Sequence, residues 1–175
     1  MVLITGIISG IALVFVIVFA YWVFQLATTK VSGSSMKPNL YNGDVLLGDR
    51  DFKLNRGDVI SFSLEKIKWQ EKYFGFLQKH NIYIKRVIGL PNETVDIKNG
   101  KVYINGIEII EKYLPKNTST LPNKMKFPQK IPAGYIFVLG DNRRNSNDSR
   151  DFGFVKIENV VSKFFLKVLP KYETL

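Results

Sequence analysis

The segment Thr94–Ile110 reads Thr-Val-Asp-Ile-Lys-Asn-Gly-Lys-Val-Tyr-Ile-Asn-Gly-Ile-Glu-Ile-Ile. Three short runs rich in β-branched residues are separated by two Asn-Gly pairs. Asn and Gly tolerate the positive φ angles of type I′ turns, so each pair predicts a tight hairpin. The segment therefore predicts a three-stranded β meander, which we interpret as a small insertion in a β-rich domain.

Short strand-like runs also occur on both sides of this meander. Asp44–Gly48, Asp58–Phe62 and Asn81–Gly89 are apolar runs bounded by Gly, Asn and Pro, which is typical of strands. The C-terminal run Val160–Leu169 also fits a strand, although two lysines four residues apart keep a short helix open. We predict a mainly β fold, with an antiparallel β-rich domain.

Two irregular stretches interrupt the strand pattern. Residues 65–80 mix charged and aromatic side chains, and residues 112–130 contain three prolines. We interpret both stretches as loops or small insertions, because about 145 residues after position 29 fit one domain.

The first 29 residues predict a membrane anchor. No Asp, Glu, Lys or Arg occurs between Val2 and Thr29, and roughly 25 apolar-dominated positions at ~1.5 Å per residue exceed a hydrocarbon layer of ~30 Å. A cleavable signal sequence would have a basic start and a shorter apolar core. We therefore predict one retained transmembrane helix over residues 1–29, with the lipid bilayer as a partner, and a β-rich domain over residues 30–175.

The charge distribution limits the partners. The chain has 25 Lys and Arg and 15 Asp and Glu, a net charge of +10, all of it after Thr29. The cations are scattered, which favours lipid attraction or solubility over nucleic-acid binding. Lys30 and Lys37 would put the domain in the cytoplasm by the positive-inside rule, but that rule is weak for long domains. With no cysteine, disulfides, thiolate catalysis and cysteine-ligated zinc are excluded.

Two residue types are candidates for a general base. The only histidine is His80, in an irregular stretch, and a Ser-His-Asp triad would have to use it. A lysine can replace histidine when burial disfavours its charged form. Lys85 lies inside an apolar run, where alternation puts it on one face with Tyr83 and puts Arg86 on the other. An ordinary lysine that reaches solvent from a strand edge stays open as the alternative.

Four motifs follow the anchor in a fixed order. They are Ser-Gly-Ser-Ser-Met-Lys-Pro-Asn-Leu at 32–40, Arg-Gly-Asp-Val-Ile at 56–60, Tyr-Ile-Lys-Arg-Val-Ile-Gly-Leu-Pro at 83–91 and Gly-Asp-Asn-Arg-Arg-Asn-Ser-Asn-Asp-Ser-Arg at 140–150. Together they resemble the bacterial type I signal peptidases, and most closely the compact single-anchor form of Gram-positive bacteria. The resemblance extends from the anchor to about Val155.

The resemblance implies a serine endopeptidase with a Ser-Lys dyad. In the family pattern, Ser35 is the nucleophile and Lys85 is the general base. Such an enzyme removes signal peptides from exported preproteins, cuts after small residues and needs no metal or cofactor. The resemblance also implies a single-pass protein of the cell membrane with its catalytic domain on the extracytoplasmic side.

The same resemblance gives roles to seven further residues. Ser146 matches a serine that orients the lysine, and Asp148 and Arg150 match a pair that braces the site. The residues expected to line the substrate pockets are Met36, Leu40, Tyr83 and Ile84. The backbone N–H of Ser35 is the candidate oxyanion donor. Some relatives add a serine hydroxyl two positions earlier, where this sequence has Gly33.

Two other functions stay open. One is an inactive membrane-tethered homologue that binds peptides or lipids. The other takes Ser34 and Lys37 as the Ser-x-x-Lys signature of a penicillin-interacting enzyme. That signature requires a helix, whereas Pro38 follows at once and disfavours one.

Overall fold

The computed structural model describes residues 12–20, 26–66 and 81–169. Eleven strands in this part of the chain form two sheets, and a short helix spans Ser149–Phe152. The strands are β1 Leu26–Lys30, β2 Val45–Asp49, β3 Val59–Ser63, β4 Ile82–Gly89, β5 Thr94–Lys98, β6 Lys101–Ile104, β7 Ile107–Glu108, β8 Gln129–Lys130, β9 Tyr135–Leu139, β10 Val155–Lys156 and β11 Val160–Leu169. The prediction of a mainly β, antiparallel domain is confirmed.

The larger sheet has seven strands in the order β1-β2-β11-β3-β4-β9-β10, and each neighbouring pair is antiparallel. The C-terminal run is a strand, β11, as we favoured. It pairs with β3 through its first half and with β2 through its second half, and its register shifts at three points. Such bulges bend and twist a strand, which lets β11 serve two partners.

The smaller sheet has the order β7-β6-β5-β8 and contains the predicted meander. Asn99 and Gly100 have φ angles of 52° and 76°, and Asn105 and Gly106 have φ angles of 51° and 81°. Both central residues of each turn therefore have positive φ, as type I′ turns require. The two Asn-Gly pairs fix the hairpins as the sequence predicted.

The predicted anchor is described only in part. Residues 12–20 are helical, whereas residues 1–11 and 21–25 lie outside the described residues. No helix within the described ranges has the length and apolar character needed to span a bilayer. At its C-terminal end the predicted boundary is wrong, because Leu26–Thr29 belong to β1 and pair with β2. Thr28 and Thr29 are β-branched and suit an extended strand.

Two apolar clusters form most of the core. One lies between the sheets and contains Ile88, Val95, Ile97, Val102, Ile104, Ile131, Phe137 and Leu139. The other packs on the larger sheet and contains Ile60, Phe62, Val87, Ile136, Val138, Val155 and Val160. Because β4 and β9 contribute to both clusters, the small sheet is anchored directly to the strand that carries Lys85.

Phe137, in the apolar cluster between the two sheets, gives a test of this packing. Phe137 is fully buried and makes edge contacts with Phe127 and Phe154, at centroid distances of 5.9 and 6.2 Å. Phe137→Ala removes the ring and leaves a cavity, so we expect a loss of about 3–5 kcal/mol in the free energy of unfolding. Denaturant unfolding measures it. The control Ile110→Ala, at an exposed side chain, should change stability by less than ~0.5 kcal/mol; equal effects would contradict the assigned core.

Candidate active site

Ser35 lies in the turn formed by residues 31–44, between β1 and β2. The turn is closed by backbone hydrogen bonds, since the N–H of Val31 donates to the carbonyl of Asp44 at 2.8 Å. Gly33 has a φ of +86°, a left-handed conformation that glycine adopts without strain. The backbone thus reverses immediately before Ser35, and its hydroxyl is turned toward β4.

Lys85 reaches Ser35 from the middle of β4. Its Nζ donates to Ser35 Oγ at 2.8 Å and to the carbonyl of Ile84 at 2.9 Å. The side chain is only 3% exposed and its Nζ lies 6.0 Å from the centre of the Tyr83 ring. The structure therefore brings the predicted pair together, in an apolar setting instead of at a solvated strand edge.

Burial lowers the pKa of Lys85 from the ordinary lysine value to about 8. The carboxylates of Asp148 and Asp141 act in the opposite direction and favour the charged form. Desolvation is the larger effect, because an ammonium group loses its hydration when it is enclosed by protein. A substantial fraction of Lys85 is therefore neutral near pH 8, as a general base must be.

The loop after β9 packs directly on the Ser35 turn. The N–H of Asn142 donates to the carbonyl of Ser35 at 2.9 Å, and its side-chain amide donates to the carbonyl of Ser34 at 3.1 Å. The side-chain amide of Asn145 donates to Ser34 Oγ at 3.2 Å. The Ser34 hydroxyl thus accepts from Asn145, whereas the Ser35 hydroxyl accepts from Lys85.

Gly140 begins this loop at a point where the backbone meets Ser35 and Ser146. A Cβ atom at position 140 would lie 2.1 Å from Ser146 Oγ and 2.5 Å from the carbonyl oxygen of Ser35. These separations are far below van der Waals contact, so only glycine fits without a shift. The loop and the turn can approach this closely because position 140 has no side chain.

The expected hydrogen bond between Ser146 and Lys85 is not formed. Among the described residues Ser146 Oγ is buried without a hydrogen-bond partner, whereas Lys85 Nζ bonds to Ser35 and Ile84. The hydroxyl instead lies against the backbone of Gly140. Ser146 therefore borders the site, but the orienting contact expected of it is made by the Ile84 carbonyl.

Asp148 and Arg150 form a buried two-pronged ion pair. The Arg150 guanidinium donates to both carboxylate oxygens of Asp148 at 2.8 Å. The same carboxylate accepts the N–H of Gly140 at 3.0 Å, and the guanidinium donates to the carbonyl of Arg143 at 2.9 Å. The pair thus holds both ends of the loop, and none of these hydrogen bonds goes to Ser35 or Lys85.

A second ion pair, between Arg86 and Asp141, was not identified from the sequence. Arg86 donates to both carboxylate oxygens of Asp141 at 2.9 and 2.6 Å. Asn39 adds a third hydrogen bond to Asp141 at 2.8 Å and also donates to the carbonyl of Tyr113 at 2.9 Å. The Tyr113 ring covers the Arg86 guanidinium at 4.0 Å. The family motif contained both charged residues, but only the fold shows that they meet.

The predicted pocket residues divide between two clusters. Met36, Leu40 and Ile84 pack in one apolar cluster with Val31 and Leu46. Tyr83 lies in the other direction, stacked on Phe62 and next to Phe152. Three of the four predicted residues therefore share a surface, and Tyr83 borders Lys85 separately.

The Ser34–Lys37 arrangement lacks the geometry of a Ser-x-x-Lys site. Residues 33–40 form turns and not a regular helix. The ammonium of Lys37 lies over the Tyr41 ring, 5.5 Å from its centre, and Ser34 Oγ is bonded to Asn145. The structure does not bring these two side chains together.

The known proteins that are similar to this chain belong to the family that its motifs resemble. A family model described as signal peptidase, peptidase S26, matches residues 4–169. Signal peptidase I of Bacillus caldolyticus is 34% identical over 157 residues, covering 84% of this chain and 81% of the relative. Signal peptidase IB of Staphylococcus aureus strain Mu50 is 34% identical over 181 residues, covering 93% and 88%. A crystal structure of a signal peptidase I from Enterococcus faecalis V583 is 33% identical, covers 64% of this chain and 97% of that chain, and has a TM-score of 0.48.

The chain belongs to the signal peptidase family, peptidase S26. It is a serine endopeptidase, which confirms the predicted class of enzyme.

The close approach at Gly140 gives a test of the site geometry. Gly140→Ala forces the Ser35 backbone or Ser146 to move, and we expect peptidase turnover to fall at least ~10-fold, because small displacements at a catalytic centre are costly. Turnover of a peptide substrate and the unfolding midpoint should be measured together. Gly134→Ala is the matched control, since it is strained by a φ of +78° but meets nothing within 4 Å. Equal losses of turnover in both variants would contradict the role of the close approach.

Proposed function

We propose that this chain is a membrane-anchored endopeptidase that removes signal peptides from exported preproteins through a Ser35–Lys85 dyad. The observation that carries the proposal is the 2.8 Å contact between Ser35 Oγ and a buried Lys85 Nζ. A serine hydroxyl is a weak nucleophile unless an adjacent base takes its proton. Lys85, with a pKa lowered to about 8, can supply that base near neutral pH.

In the acylation step, Lys85 first accepts a proton and then donates it. Neutral Lys85 accepts the hydroxyl proton while Ser35 Oγ forms a bond to the scissile carbonyl carbon. The tetrahedral intermediate then loses the C–N bond, and the Lys85 ammonium gives its proton to the leaving amine. In deacylation, Lys85 takes a proton from the water that attacks the ester carbonyl carbon. The C–O bond to Ser35 Oγ then breaks, the Lys85 ammonium returns its proton to Ser35 Oγ, and the signal peptide leaves with a new carboxylate.

The oxyanion formed in these steps requires hydrogen-bond donors. We assign one to the backbone N–H of Ser35. Ser34 Oγ accepts a hydrogen bond from the Asn145 amide at 3.2 Å, which leaves its own proton free, so Ser34 stays a candidate for the second donor. The Ser146 hydroxyl is buried beside Gly140 without a hydrogen-bond partner among the described residues, so we assign it no role in this step.

Substrate specificity follows from the apolar surface beside the dyad. Met36, Leu40 and Ile84 pack together in an apolar cluster that includes the neighbour of Ser35, and we assign to this cluster the pockets that accept small side chains. Tyr83 borders the Lys85 side of the same site. An extended peptide would obtain its backbone hydrogen bonds from a neighbouring strand. These features suit a cleavage site with small residues before the scissile bond.

The membrane anchor and its orientation are also part of the proposal. The hydropathy of residues 1–25 supports a single transmembrane helix, and the family supports a catalytic domain on the extracytoplasmic side. Exposed Phe165, Leu166 and Val168 near the end of β11 are suited to contact lipid, because β1 directly follows the predicted anchor.

Substitution of the dyad separates an enzyme from an inactive binding protein. We expect Ser35→Ala and Lys85→Ala each to lower kcat/KM by more than ~1000-fold, because each removes a group needed in the transition state. Cleavage of a preprotein with alanines at the first and third positions before the bond measures the effect. Ser34→Ala and Lys37→Ala are controls that test the rival Ser-x-x-Lys pair, and each should lower kcat/KM by less than about tenfold. Loss of cleavage only in the controls would overturn the dyad.

The pKa of Lys85 sets the pH dependence. Because the neutral amine is the active form, kcat/KM should rise about tenfold per pH unit below the pKa of about 8 and level off above it. A pH-rate profile of full-length enzyme in detergent measures this rise. Lys85→Arg should be inactive at every pH, because guanidinium does not lose its proton. An inflection near the ordinary lysine value of 10.5 would contradict a desolvated base.

A further inference from the structure

A cleft of about 360 Å³ opens beside the Ser35 turn, between residues 115–119 and residues 141–144. Lys37, Lys116 and Arg144 line it and are all exposed. We call it the basic cleft. Its volume lies in the range of ordinary ligand sites, and it is large enough for a few side chains of a bound peptide.

The basic cleft carries an uncompensated positive charge. Of the described residues that line it, Asp141 is the sole carboxylate, and Arg86 and Asn39 already occupy its oxygens. None of the ion pairs among the described residues involves Lys37, Lys116 or Arg144. A concave surface with cations of one sign attracts anionic groups.

The basic cleft also adjoins the nucleophile directly. Asn142 lines the cleft, and its N–H donates to the carbonyl of Ser35 at 2.9 Å. Lys37 follows Ser35 by two residues, which limits their Cα separation to about 7 Å. A group held in the cleft is therefore within a few residues of a peptide bond positioned at Ser35.

Two different surfaces thus meet at the Ser35 turn. The apolar cluster of Met36, Leu40 and Ile84 shares no residue with the basic cleft. In the proposed function, the apolar surface receives the small residues before the scissile bond. The basic cleft is then left for the residues after the bond, which belong to the released protein.

We infer that the basic cleft binds acidic side chains near the N-terminus of the released protein, at about the second to fourth position after the cleaved bond. An extended chain advances about 3.3 Å per residue, so these positions lie within reach of Lys37, Lys116 and Arg144. The inference rests on the proposed function and adds a charge preference to it. A peptide fits better than an anionic lipid headgroup, because the wall of the cleft is bonded to the nucleophile turn itself.

The test uses two peptides that are identical up to the scissile bond, with small residues at the first and third positions before it. One has Glu at the second to fourth positions after the bond, and the other has Gln. For the full-length enzyme in detergent at low salt, kcat/KM should be about fivefold higher for the Glu peptide, as several exposed charge pairs act together. The ratio should fall toward one as salt is raised to ~0.5 M.

Two triple variants with the same loss of charge locate the effect. In the variant Lys37→Gln, Lys116→Gln, Arg144→Gln, the Glu/Gln ratio should fall to about one at low salt. In the control Lys98→Gln, Lys130→Gln, Lys156→Gln, at exposed residues that do not line the cleft, the ratio should stay near its original value.

Each contrary result is distinct. A ratio of one in the unmodified enzyme, with both peptides cleaved, would overturn the charge preference and leave the peptidase function intact. The cleft variant could instead keep the Glu/Gln ratio of kcat/KM and bind phosphatidylglycerol vesicles more weakly than the unmodified enzyme. This result would overturn the assignment to acidic side chains and would assign the cleft to lipid headgroups. Cleavage of neither peptide would overturn the proposed function and this inference together.

Discussion

The buried ion pair between Asp148 and Arg150 is the interaction on which the site depends. It joins the end of β9, through the N–H of Gly140, to the carbonyls of Arg143 and Leu121. Both side chains are at most 1% exposed, so the loss of one partner would leave the other charge buried, which typically costs about 3–5 kcal/mol. A loop rich in polar residues is thereby fixed against the Ser35 turn, although none of these hydrogen bonds goes to the dyad.

Three carboxylates near Lys85 or the loop after β9 are each paired with an arginine, which is consistent with the lowered pKa of Lys85. Asp141 is paired with Arg86, and Asp148 with Arg150. Glu111 is paired with the buried Arg143 in the same way. Lys85 hydrogen-bonds only to a hydroxyl and a carbonyl among the described residues. The carboxylates of Asp148 and Asp141 therefore raise the pKa of Lys85 only through longer-range electrostatics. Desolvation has the larger effect, and the pKa is lowered.

Local rules predicted much of the fold and part of the site. The Asn-Gly pairs specified two hairpins, and strand alternation put Lys85 and Arg86 on opposite faces. The contact between Arg86 and Asp141 joins residues 55 positions apart, and no local pattern encodes it. Hydropathy extended the anchor to Thr29 because Leu26–Thr29 carry no charge, whereas their structure is decided by pairing with β2. The orienting contact of Lys85 comes from a backbone carbonyl, which a sequence motif does not reveal.

Because side chains alternate along β4, the pairing register of β4 with β3 and β9 decides which side chain faces Ser35. Ile60 in β3 is opposite Lys85, and Leu139 in β9 is opposite Arg86. A slip of β4 by one residue would exchange the two faces of the strand and present a guanidinium to Ser35, which cannot act as a base. In the proposed mechanism, catalysis therefore requires that β4 is aligned with both neighbouring strands. The strand pairing thus separates active from inactive molecules. A chain with β4 misaligned would still bury a cation beside Ser35, but it would have no catalytic activity.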